Sequence, residues 1–370
     1  MSKRRHAEIA GAGFAGLTTA TALAQRGWTV RVHERADELR AFGAGIFIWE
    51  NGLRVLRALG AYDAVVAASH EAPMYQVRDS RNRLLGEVAF GEAMGTRMLT
   101  MTRQSLYMGL LEAARAAGVE FKTRSEITAA TPDGRLVDSH NEIYRGDLVV
   151  GADGVHSKVR DSLNLSASRE MLGTGAIRLL VDAIDEDWRS PDGRNVITYA
   201  STLPRRLLYT PCNANQIYLA FTTSASDVQG CSIPLNKTTW GETFPHLEGL
   251  IDRVQAPGRW DLYHVVKLTR WSSGRVAVIG DAAHSMTPAL GQGAGCAMMN
   301  GLSLAVAVED CNDVERALME WESRERPLTD ATQDLARSLT ENPSSTIASN
   351  GTKWTSDMAR TARHIPVGTT

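Results

Sequence analysis

An α/β fold, α+β overall, is predicted by three patterns along the 370-residue chain. Within residues 7–33 a short apolar segment, a glycine-rich turn and an apolar-periodic helix precede a second, valine-rich strand, which predicts a β-α-β unit with parallel strands. Residues 177–266 change to short β-branched or apolar segments separated by Pro, Asn, Gly and Asp, which is typical of antiparallel strands. A buried-type strand at 276–280 then enters a glycine-rich loop and a helix. These patterns predict a Rossmann-type domain interrupted by a mostly antiparallel β-sheet domain and followed by C-terminal helices.

The predicted domain boundaries follow these changes of pattern. The nucleotide-binding domain is assigned residues 1–72, 98–175 and 268–340, and the β-sheet domain residues 73–97 and 176–267. The Ser/Thr-rich residues 341–370 form a C-terminal segment that we expect to be loosely packed. Helices are predicted over Phe14–Gln25, Asn51–Leu59 and Ser105–Ala117, with Gly27 ending the first. Strands are predicted over Ala7–Ala10, Thr29–His33, Asp147–Gly151, Ile177–Val181, Asn195–Ala200, Arg206–Tyr209, Gln216–Thr222, Leu262–Lys267 and Val276–Gly280.

Composition narrows the classes of function. A formal net charge of −2 argues against nucleic acid or an anionic membrane as the main partner. The four cysteines have no spacing typical of metal ligands, so we expect no metal site. A chain of this size needs no disulfides, so we expect it to reside in a reducing cytoplasm. The basic, Ala-rich start loosely imitates a signal peptide, but its glycine register and following strand favour a retained structural segment. The apolar stretch 296–308 is shorter than the ~20 residues that cross a bilayer.

The first chemical motif consists of Gly11, Gly13 and Gly16 after the first strand. These positions suit a tight turn, close approach of a pyrophosphate, and close packing of helix on strand. Glu34 follows Gly16 by 18 residues, at the end of the second strand, where a carboxylate binds the ribose of a dinucleotide. The alternative is a Gly/Ala-rich helix start with a solvent-facing Glu34.

The second motif is GADGVHSKVR at residues 151–160, directly after a buried strand. Because ligands bind at the carboxyl ends of such strands, Asp153 is a candidate for cofactor contact. The residues alone favour a simpler interpretation, in which an Asp/Gly turn precedes a helix capped by Ser157.

The third motif, GDAAHSMTPALGQGAG at residues 280–295, joins a strand to a helix through an acid, a proline and three glycines. Asp281 is suited to accept hydrogen bonds from a sugar-like chain. The glycine N–H groups and the helix dipole would favour a ligand edge that carries negative charge. His284 is as well explained by packing as by catalysis, and we assign it no catalytic role.

Together, and in this order, the three motifs resemble those of the single-component aromatic hydroxylases, FAD-dependent monooxygenases of the para-hydroxybenzoate hydroxylase type, over residues 7–327. The resemblance implies FAD, reduced by NADH or NADPH that binds transiently without a second Rossmann domain. It also implies that reduced flavin and O₂ form a C4a-hydroperoxide that attacks a hydroxylated ring. The implied FAD-binding residues are Gly11, Gly13, Phe14, Ala15, Gly16, Glu34, Arg35, Ala44, Gly45, Arg103, Asp153, Asp281, Pro288, Gly291, Gly293, Ala294 and Gly295.

Within that family the chain is similar to members that oxygenate and open a hydroxylated pyridine carboxylate. The similarity is carried by the stretches Leu39–Gly45 and Arg206–Asn213 and by Tyr218, while Phe47 departs from a tyrosine in those members. It implies a small aromatic or N-heteroaromatic acid as substrate and leaves a homo-oligomer open. The residues implied at the reacting ring are Arg206, Tyr218, Tyr75 and Pro288.

Other interpretations stay open at this point. Arg206 could be an ordinary surface residue of a strand, and the two tyrosines could belong to the core or its rim. The substrate could instead be a phenolic acid of the benzoate or salicylate type. The glycine motif alone would also suit an NAD(P)-dependent dehydrogenase, and a flavin-binding homologue without activity would keep all three motifs.

Overall fold

The fold is described from a computed structural model, which covers residues 4–40, 43–91, 96–185, 187, 196–342 and 360–370. The helices are α1 Phe14–Gln25, α2 Glu50–Leu59, α3 Tyr62–Ala67, α4 Arg103–Ala116, α5 Lys158–Ser162, α6 Lys237–Thr243, α7 Glu248–Ile251, α8 Asp281–His284, α9 Gly293–Ala307 and α10 Val314–Glu341. The strands are β1 His6–Ala10, β2 Thr29–His33, β3 Gly45–Trp49, β4 Ser69–Glu71, β5 Met74–Asp79, β6 Leu84–Ala89, β7 Met98–Thr102, β8 Glu120–Lys122, β9 Ile127–Thr131, β10 Arg135–Asp138, β11 Ile143–Arg145, β12 Leu148–Gly151, β13 Ser166–Asp182, β14 Ile197–Thr202, β15 Arg205–Asn213, β16 Gln216–Ser224, β17 Trp260–Leu268, β18 Ser272–Ser273 and β19 Val276–Val278.

A six-stranded sheet in the order β18-β19-β12-β1-β2-β8 forms the centre of the first domain. Strands β19, β12, β1, β2 and β8 are parallel, so the β-α-β prediction is confirmed. Helix α1 has the predicted bounds and packs against this sheet and against α9. The carboxyl ends of β1, β12 and β19 lie side by side, and each is followed by one of the three motifs.

A seven-stranded sheet in the order β17-β13-β16-β15-β14-β5-β6 forms the second domain. It is antiparallel except for the parallel pair β14 and β5. One face buries Ile177, Leu207 and Phe221 against Trp240 and Phe244, in and just after α6. Strand alternation turns the residues between them to the opposite face, towards the first domain.

Several predicted bounds change in the structure. The predicted strand Ile177–Val181 is the end of β13, which begins at Ser166; the boundary placed at 175/176 therefore falls inside a strand. The polar, mostly exposed start of β13 hides this extension from a hydrophobicity pattern. Strand β19 ends at Val278, two residues early, because Gly280 turns the chain with φ of +61°.

The C-terminal segment is only partly described. Of that segment, residues 343–359 lie outside the described ranges, as do Ala41, Phe42 and Asn195 of the predicted stretches. Loose packing is wrong for the described end, since Ala362 is fully buried and Thr361 Oγ1 lies 2.7 Å from Thr332 Oγ1. Among the described helices none is long and apolar enough to cross a membrane.

Candidate active site

The turn after β1 has the geometry of a phosphate-binding loop. Gly11 has φ of +100°, and a Cβ there would overlap the carbonyl of Ala152. A Cβ on Gly16 would overlap the carbonyl of Gly11, so both positions require glycine for packing. A Cβ on Gly13, by contrast, would meet no atom within 4 Å. Gly13 at the start of α1 therefore borders open space, as a position that receives a phosphate must.

Glu34 is directed at this turn rather than at solvent. Its carboxylate accepts hydrogen bonds from Ala12 N at 3.1 Å and from Ala36 N at 3.0 Å. This fixes a half-buried acid beside the start of α1, where the ribose of the ADP half would lie. The solvent-facing alternative is thereby wrong. The neighbouring Arg35 is exposed and adds no hydrogen bond within the described part of this turn.

The second motif begins a capped helix, as the simpler interpretation predicts, and leaves one acceptor of Asp153 unused. Ser157 caps α5 by accepting a hydrogen bond from Arg160 N at 2.9 Å. Asp153 Oδ2 accepts from Lys158 N at 2.8 Å and from Val159 N at 3.2 Å, so this residue also helps to begin the helix. Its Oδ1 is buried with no hydrogen-bond partner among the described residues, and burial raises the pKa of the carboxyl. An acceptor is thus left over next to the glycine turn, where a bound dinucleotide could use it.

Asp281, in the third motif, lies close enough to Arg103 for their charges to interact. Burial raises the pKa of the Asp281 carboxyl, and the positive charge of Arg103 opposes that rise. Burial likewise lowers the pKa of Arg103, whose guanidinium lies 5.0 Å from the ring centre of Phe14. The Asp281 side chain keeps solvent-accessible surface, although protein atoms crowd around its carboxylate. These two residues and Phe14 line one space beside the start of α1.

The loop before α9 is held by contacts on both sides. Trp49 Nε1 donates to Leu290 O at 3.0 Å, and Thr287 Oγ1 donates to Ala336 O at 2.7 Å. Pro288 begins the short 3₁₀ turn between these anchors and is itself exposed. The first turn of α9 has no side-chain cap, so its N–H groups are available to a ligand. The loop contains Gly291, and the first turn of α9 contains Gly293, Ala294 and Gly295.

His284 has a packing role. Burial lowers its pKa to about 4, and its Nε2 lies 3.0 Å from Asn300 Nδ2. The ring centre is 5.3 Å from that of Trp271. Asn300 and Trp271 thus hold the His284 ring in the core.

The predicted ring-binding residues share one face of the seven-stranded sheet. Arg206 pairs with Thr222, and Tyr75 pairs with Ile197, which is two residues from Tyr199. Directly opposed residues lie on the same face, and so do residues two apart. The ring centres of Tyr75 and Tyr199 are 6.4 Å apart. Tyr75, Tyr199 and Arg206 therefore form a continuous polar and aromatic surface opposite the buried core of the sheet.

Arg206 is buried, and its Nε has no hydrogen-bond partner among the described residues. Burial raises the pKa of Tyr75 well above its usual value, while the charge of Arg206 acts in the opposite direction. Burial also raises the pKa of Tyr199, again against Arg206. A buried guanidinium with an unused donor is costly unless an anion or acceptor binds it. The interpretation of Arg206 as a surface residue is wrong.

Tyr218 and the backbone of Gly45 are in direct contact. A Cβ on Gly45 would overlap the ring of Tyr218, so glycine lets β3 approach the sheet closely. The preceding residue, Ala44, accepts a hydrogen bond from Arg103 N at 2.8 Å. This stretch thus connects the polar face of the seven-stranded sheet to Arg103 and the glycine turn, and Tyr218 lies at the boundary between the two domains.

Sequence reasoning missed Arg178, which lies on the same face two strands from Arg206. Its guanidinium is 5.5 Å from the ring centre of Tyr263 and forms an ion pair with Asp261 at 3.8 Å. Burial opposes the charge of Arg178, but Tyr218, Tyr263 and Asp261 together raise its pKa. The available signal was a single arginine alternating with Ile177, Leu179 and Val181 in an otherwise apolar strand. No group of metal-ligand residues occurs in the described part of the chain.

Comparison with known proteins agrees with this geometry. A family model described as an FAD binding domain matches residues 5–329. The chain belongs to the FAD-dependent monooxygenases. A solved tetrameric form of 2-methyl-3-hydroxypyridine-5-carboxylic acid oxygenase is 43% identical, covers 99% of this chain and 98% of its own, and has a TM-score of 0.93.

Two curated relatives indicate the range of chemistry among FAD-dependent monooxygenases. The 2-heptyl-3-hydroxy-4(1H)-quinolone synthase of Mycobacteroides abscessus is 43% identical over 87% of this chain and 86% of that protein. The 3-amino-4-hydroxybenzoate 2-monooxygenase of Streptomyces cremeus is 31% identical over 90% of this chain and 86% of that protein. The fold prediction, the FAD cofactor and the assignment as a flavin-dependent enzyme using NAD(P)H are confirmed by these matches.

Proposed function

We propose that this monooxygenase oxygenates a hydroxylated N-heteroaromatic compound, such as a hydroxypyridine carboxylate, bound against the polar face of the seven-stranded sheet. The observation that carries the proposal is the buried Arg206, whose Nε has no partner in the described structure. Of the three relatives described above, two are named for a pyridine or quinolone ring that carries an oxygen substituent.

Arg206 would bind the anionic oxygen or carboxylate of the ring. A planar guanidinium pairs with such a group through two parallel hydrogen bonds, which fixes the plane of the substrate as well as its position. Arg178 is already engaged with Asp261 and lies beside Tyr218, so it would orient the phenol rather than serve as the main anion site. The two arginines thereby have different roles on one face.

Tyr75 and Tyr218 would act as hydrogen-bond donors to ring substituents. Burial raises the pKa of both phenols, so both are protonated at neutral pH. A protonated phenol donates to a ring oxygen or accepts from a ring N–H without adding charge. Phe47, whose ring centre lies 6.1 Å from that of Tyr218, makes the adjoining wall apolar. The ring site is thus polar on the arginine side and apolar on the Phe47 side.

The residues of the first domain would hold FAD. Gly13 and the start of α1 would receive the pyrophosphate, Glu34 the ribose, Asp281 and Arg103 the chain towards the flavin, and the start of α9 the ring edge. Bound FAD, once reduced by NADH or NADPH, would supply the activation of O₂, while the protein positions the substrate and excludes water. Pro288 and Gly291 lie in the loop that would separate the flavin from the substrate.

The test uses the purified, yellow holoenzyme. Hydroxypyridine carboxylates, 4(1H)-quinolones and hydroxybenzoates are each added to enzyme with NADH or NADPH, and the rate of nicotinamide oxidation is followed. We expect an N-heteroaromatic compound to stimulate the rate most, with a product containing one or two added oxygen atoms by mass spectrometry. Stimulation by hydroxybenzoates alone would replace the proposal with the phenolic-acid alternative. Stimulation by none of the three classes would contradict it.

The assembly state is a separate proposal. Because the solved 2-methyl-3-hydroxypyridine-5-carboxylic acid oxygenase is described in a tetrameric form, we infer a homo-oligomer for this chain as well. Light scattering on the holoenzyme would measure its mass directly, and a monomer at micromolar concentration would contradict the inference.

A further inference from the structure

A buried hydrogen-bond network lies in the first domain, next to the end of the strand that carries Glu34. His33, the last residue of β2, has its ring between the carboxylate of Glu8 in β1 and the hydroxyl of Ser125, which follows β8. His33 Nε2 lies 2.9 Å from Glu8 Oε2, and His33 Nδ1 lies 2.8 Å from Ser125 Oγ. All three residues are at most 2% exposed. We call these three residues the buried network.

The charge of Glu8 determines which nitrogen of His33 carries the hydrogen. Burial of Glu8 opposes its ionisation, but hydrogen bonds from His33 and His6 outweigh burial, so the pKa of Glu8 is below its usual value. Because an ionised carboxylate can only accept, His33 donates to it from Nε2. A neutral ring then accepts at Nδ1 from the Ser125 hydroxyl. Tyr144, whose ring centre lies 4.4 Å from that of His33, packs against the imidazole.

The order of these contacts is that of the Ser-His-Asp or Ser-His-Glu triad of hydrolases. In a hydrolase, however, the serine oxygen must reach a substrate, and Ser125 is only 2% exposed. The role of the buried network is therefore sought in the backbone that it holds.

The buried network fixes the backbone on which Glu34 stands. Ser125 contacts the His33 ring through its hydroxyl, and its backbone N donates to Glu34 O at 2.9 Å. Since His33 and Glu34 are adjacent, these contacts close a ring around their peptide bond. Glu34 N also donates to Lys122 O at 2.9 Å, and Gly11 N donates to His33 O at 2.8 Å. The same short segment is thus bonded to the buried network on one side and to the glycine turn on the other.

We propose that His33 and Ser125 are positioning residues, oriented by Glu8, that hold Glu34 where it accepts a hydrogen bond from the 2′-hydroxyl of the adenosine ribose of FAD. This inference rests on the proposed placement of that ribose at Glu34 and deepens it. A carboxylate has roughly four acceptor positions, and the backbone N–H groups of Ala12 and Ala36 use two of them. An acceptor that is already in place binds the ribose more tightly, because less ordering is needed on binding.

The experiment compares FAD with an FAD analogue whose adenosine ribose lacks the 2′-hydroxyl. Each is titrated into the full chain stripped of FAD, and the dissociation constant is measured from the quenching of flavin fluorescence. The wild type should bind FAD about ten- to a hundredfold more tightly than the analogue, as for a hydrogen bond to a carboxylate. Glu34→Ala should bind the two compounds equally and so sets the lower limit of this preference.

Two variants break the contact between His33 and Ser125. Ser125→Ala removes the hydroxyl and keeps the backbone N–H, while His33→Gln keeps a donor for Glu8 and removes Nδ1. Each should reduce the preference for FAD by about two- to tenfold, since the loss cannot exceed the free energy of one hydrogen bond. The double variant should lose no more than either single variant, because both remove the same contact.

Ser303→Ala in α9 is the matched control. Its hydroxyl is also buried, donating to Asn300 O at 3.3 Å and accepting from Trp321 Nε1 at 3.1 Å. This variant should lower the temperature of thermal unfolding, as Ser125→Ala should, but keep the wild-type preference for FAD. A preference reduced equally in Ser303→Ala would overturn the inference, because any defect in the core would then suffice.

The inference and the proposed placement of the ribose fail in different ways. If Glu34→Ala loses the preference but Ser125→Ala and His33→Gln keep it in full, the placement holds and the positioning role is wrong. If the wild type itself binds the analogue as tightly as FAD, the placement of the ribose at Glu34 is wrong and the inference falls with it. Ser125→Ala decides the matter if His33→Gln does not fold.

Discussion

Gly13→Val should remove FAD while leaving the fold intact. A Cβ on Gly13 meets no atom within 4 Å, and the extended backbone, with φ of −77° and ψ of −177°, accepts a β-branched residue. In the apoprotein the substitution should lower the free energy of unfolding only through the poorer helix N-cap, by about 1 kcal/mol at most. In the holoenzyme the valine methyl groups would occupy the space that receives the pyrophosphate, so we expect colourless protein.

Thermal unfolding with and without added FAD separates the two effects. Without FAD, Gly13→Val and wild-type apoprotein should unfold at nearly the same temperature. With FAD at 100 times the wild-type dissociation constant, only the wild type should gain stability, by about 2.7 kcal/mol. Gly249→Val is the matched control, because a Cβ there is equally unobstructed but lies in α7, outside the FAD site.

Gly16→Ala should behave differently, since its Cβ overlaps the carbonyl of Gly11 and the turn itself must move. It should lower the stability of the apoprotein as well as FAD binding. Full flavin occupancy in Gly13→Val would refute the assignment of this turn. A large loss of apoprotein stability in the same variant would refute the inference that Gly13 borders open space.

Three further predictions concern charge. Arg206→Ala should leave the flavin spectrum unchanged and weaken substrate binding by about 1.5–3 kcal/mol, ten- to more than a hundredfold. Arg206→Lys should restore little of this affinity, and Tyr218→Phe should weaken binding less than Arg206→Ala does. Titrations of substrate followed by flavin absorbance would measure all three. Asp281→Ala should increase the dissociation constant of FAD, measured by fluorescence; unchanged FAD affinity would separate this residue from the cofactor. Because burial lowers the pKa of His284 to about 4, the unfolded state binds an extra proton between roughly pH 4 and 6.5. The free energy of unfolding should therefore increase as the pH rises from about 4 to 6.5 and decrease as the pH is lowered through that window. His284→Gln should reduce this pH dependence, measured by thermal unfolding.

The sequence predicted the first domain well because its signals are local. The glycine spacing, the helix Phe14–Gln25 and the following strand all depend on neighbouring residues, and the structure reproduces them. The grouping of Tyr75 with Arg206 came from family resemblance, because β5 and β15 are separated by more than a hundred residues and meet only through β14. Their position on one sheet face now gives that grouping a geometric basis.

Arg178 and the start of β13 could not be predicted in the same way. A lone arginine within an apolar strand indicates that one face of the strand is less apolar than the other. The environment of Arg178, however, is set by Tyr218, Tyr263 and Asp261, which lie on other strands. Residues 166–175 are mostly polar and exposed, so only pairing with β17 identifies them as a strand. Tertiary partners, rather than local preference, decide both features.

The length of β13 fixes how the two domains are joined, and this affects which side chains can be substituted without disturbing the fold. It is one strand from the first domain to the polar face of the seven-stranded sheet, and β17 pairs with it in the opposite direction, with a shift of register between Met171 and Gly175, before the chain returns to β18 and β19. Two hydrogen-bonded strands, rather than two loose linkers, set the separation between the face and the glycine turn. Side chains along the polar face can therefore be exchanged without changing the distance between that face and the glycine turn. The two paired strands keep this distance constant while the side chains beside it vary. Libraries that vary only the positions of β14, β15 and β16 on the polar face would therefore preserve the arrangement of the two domains.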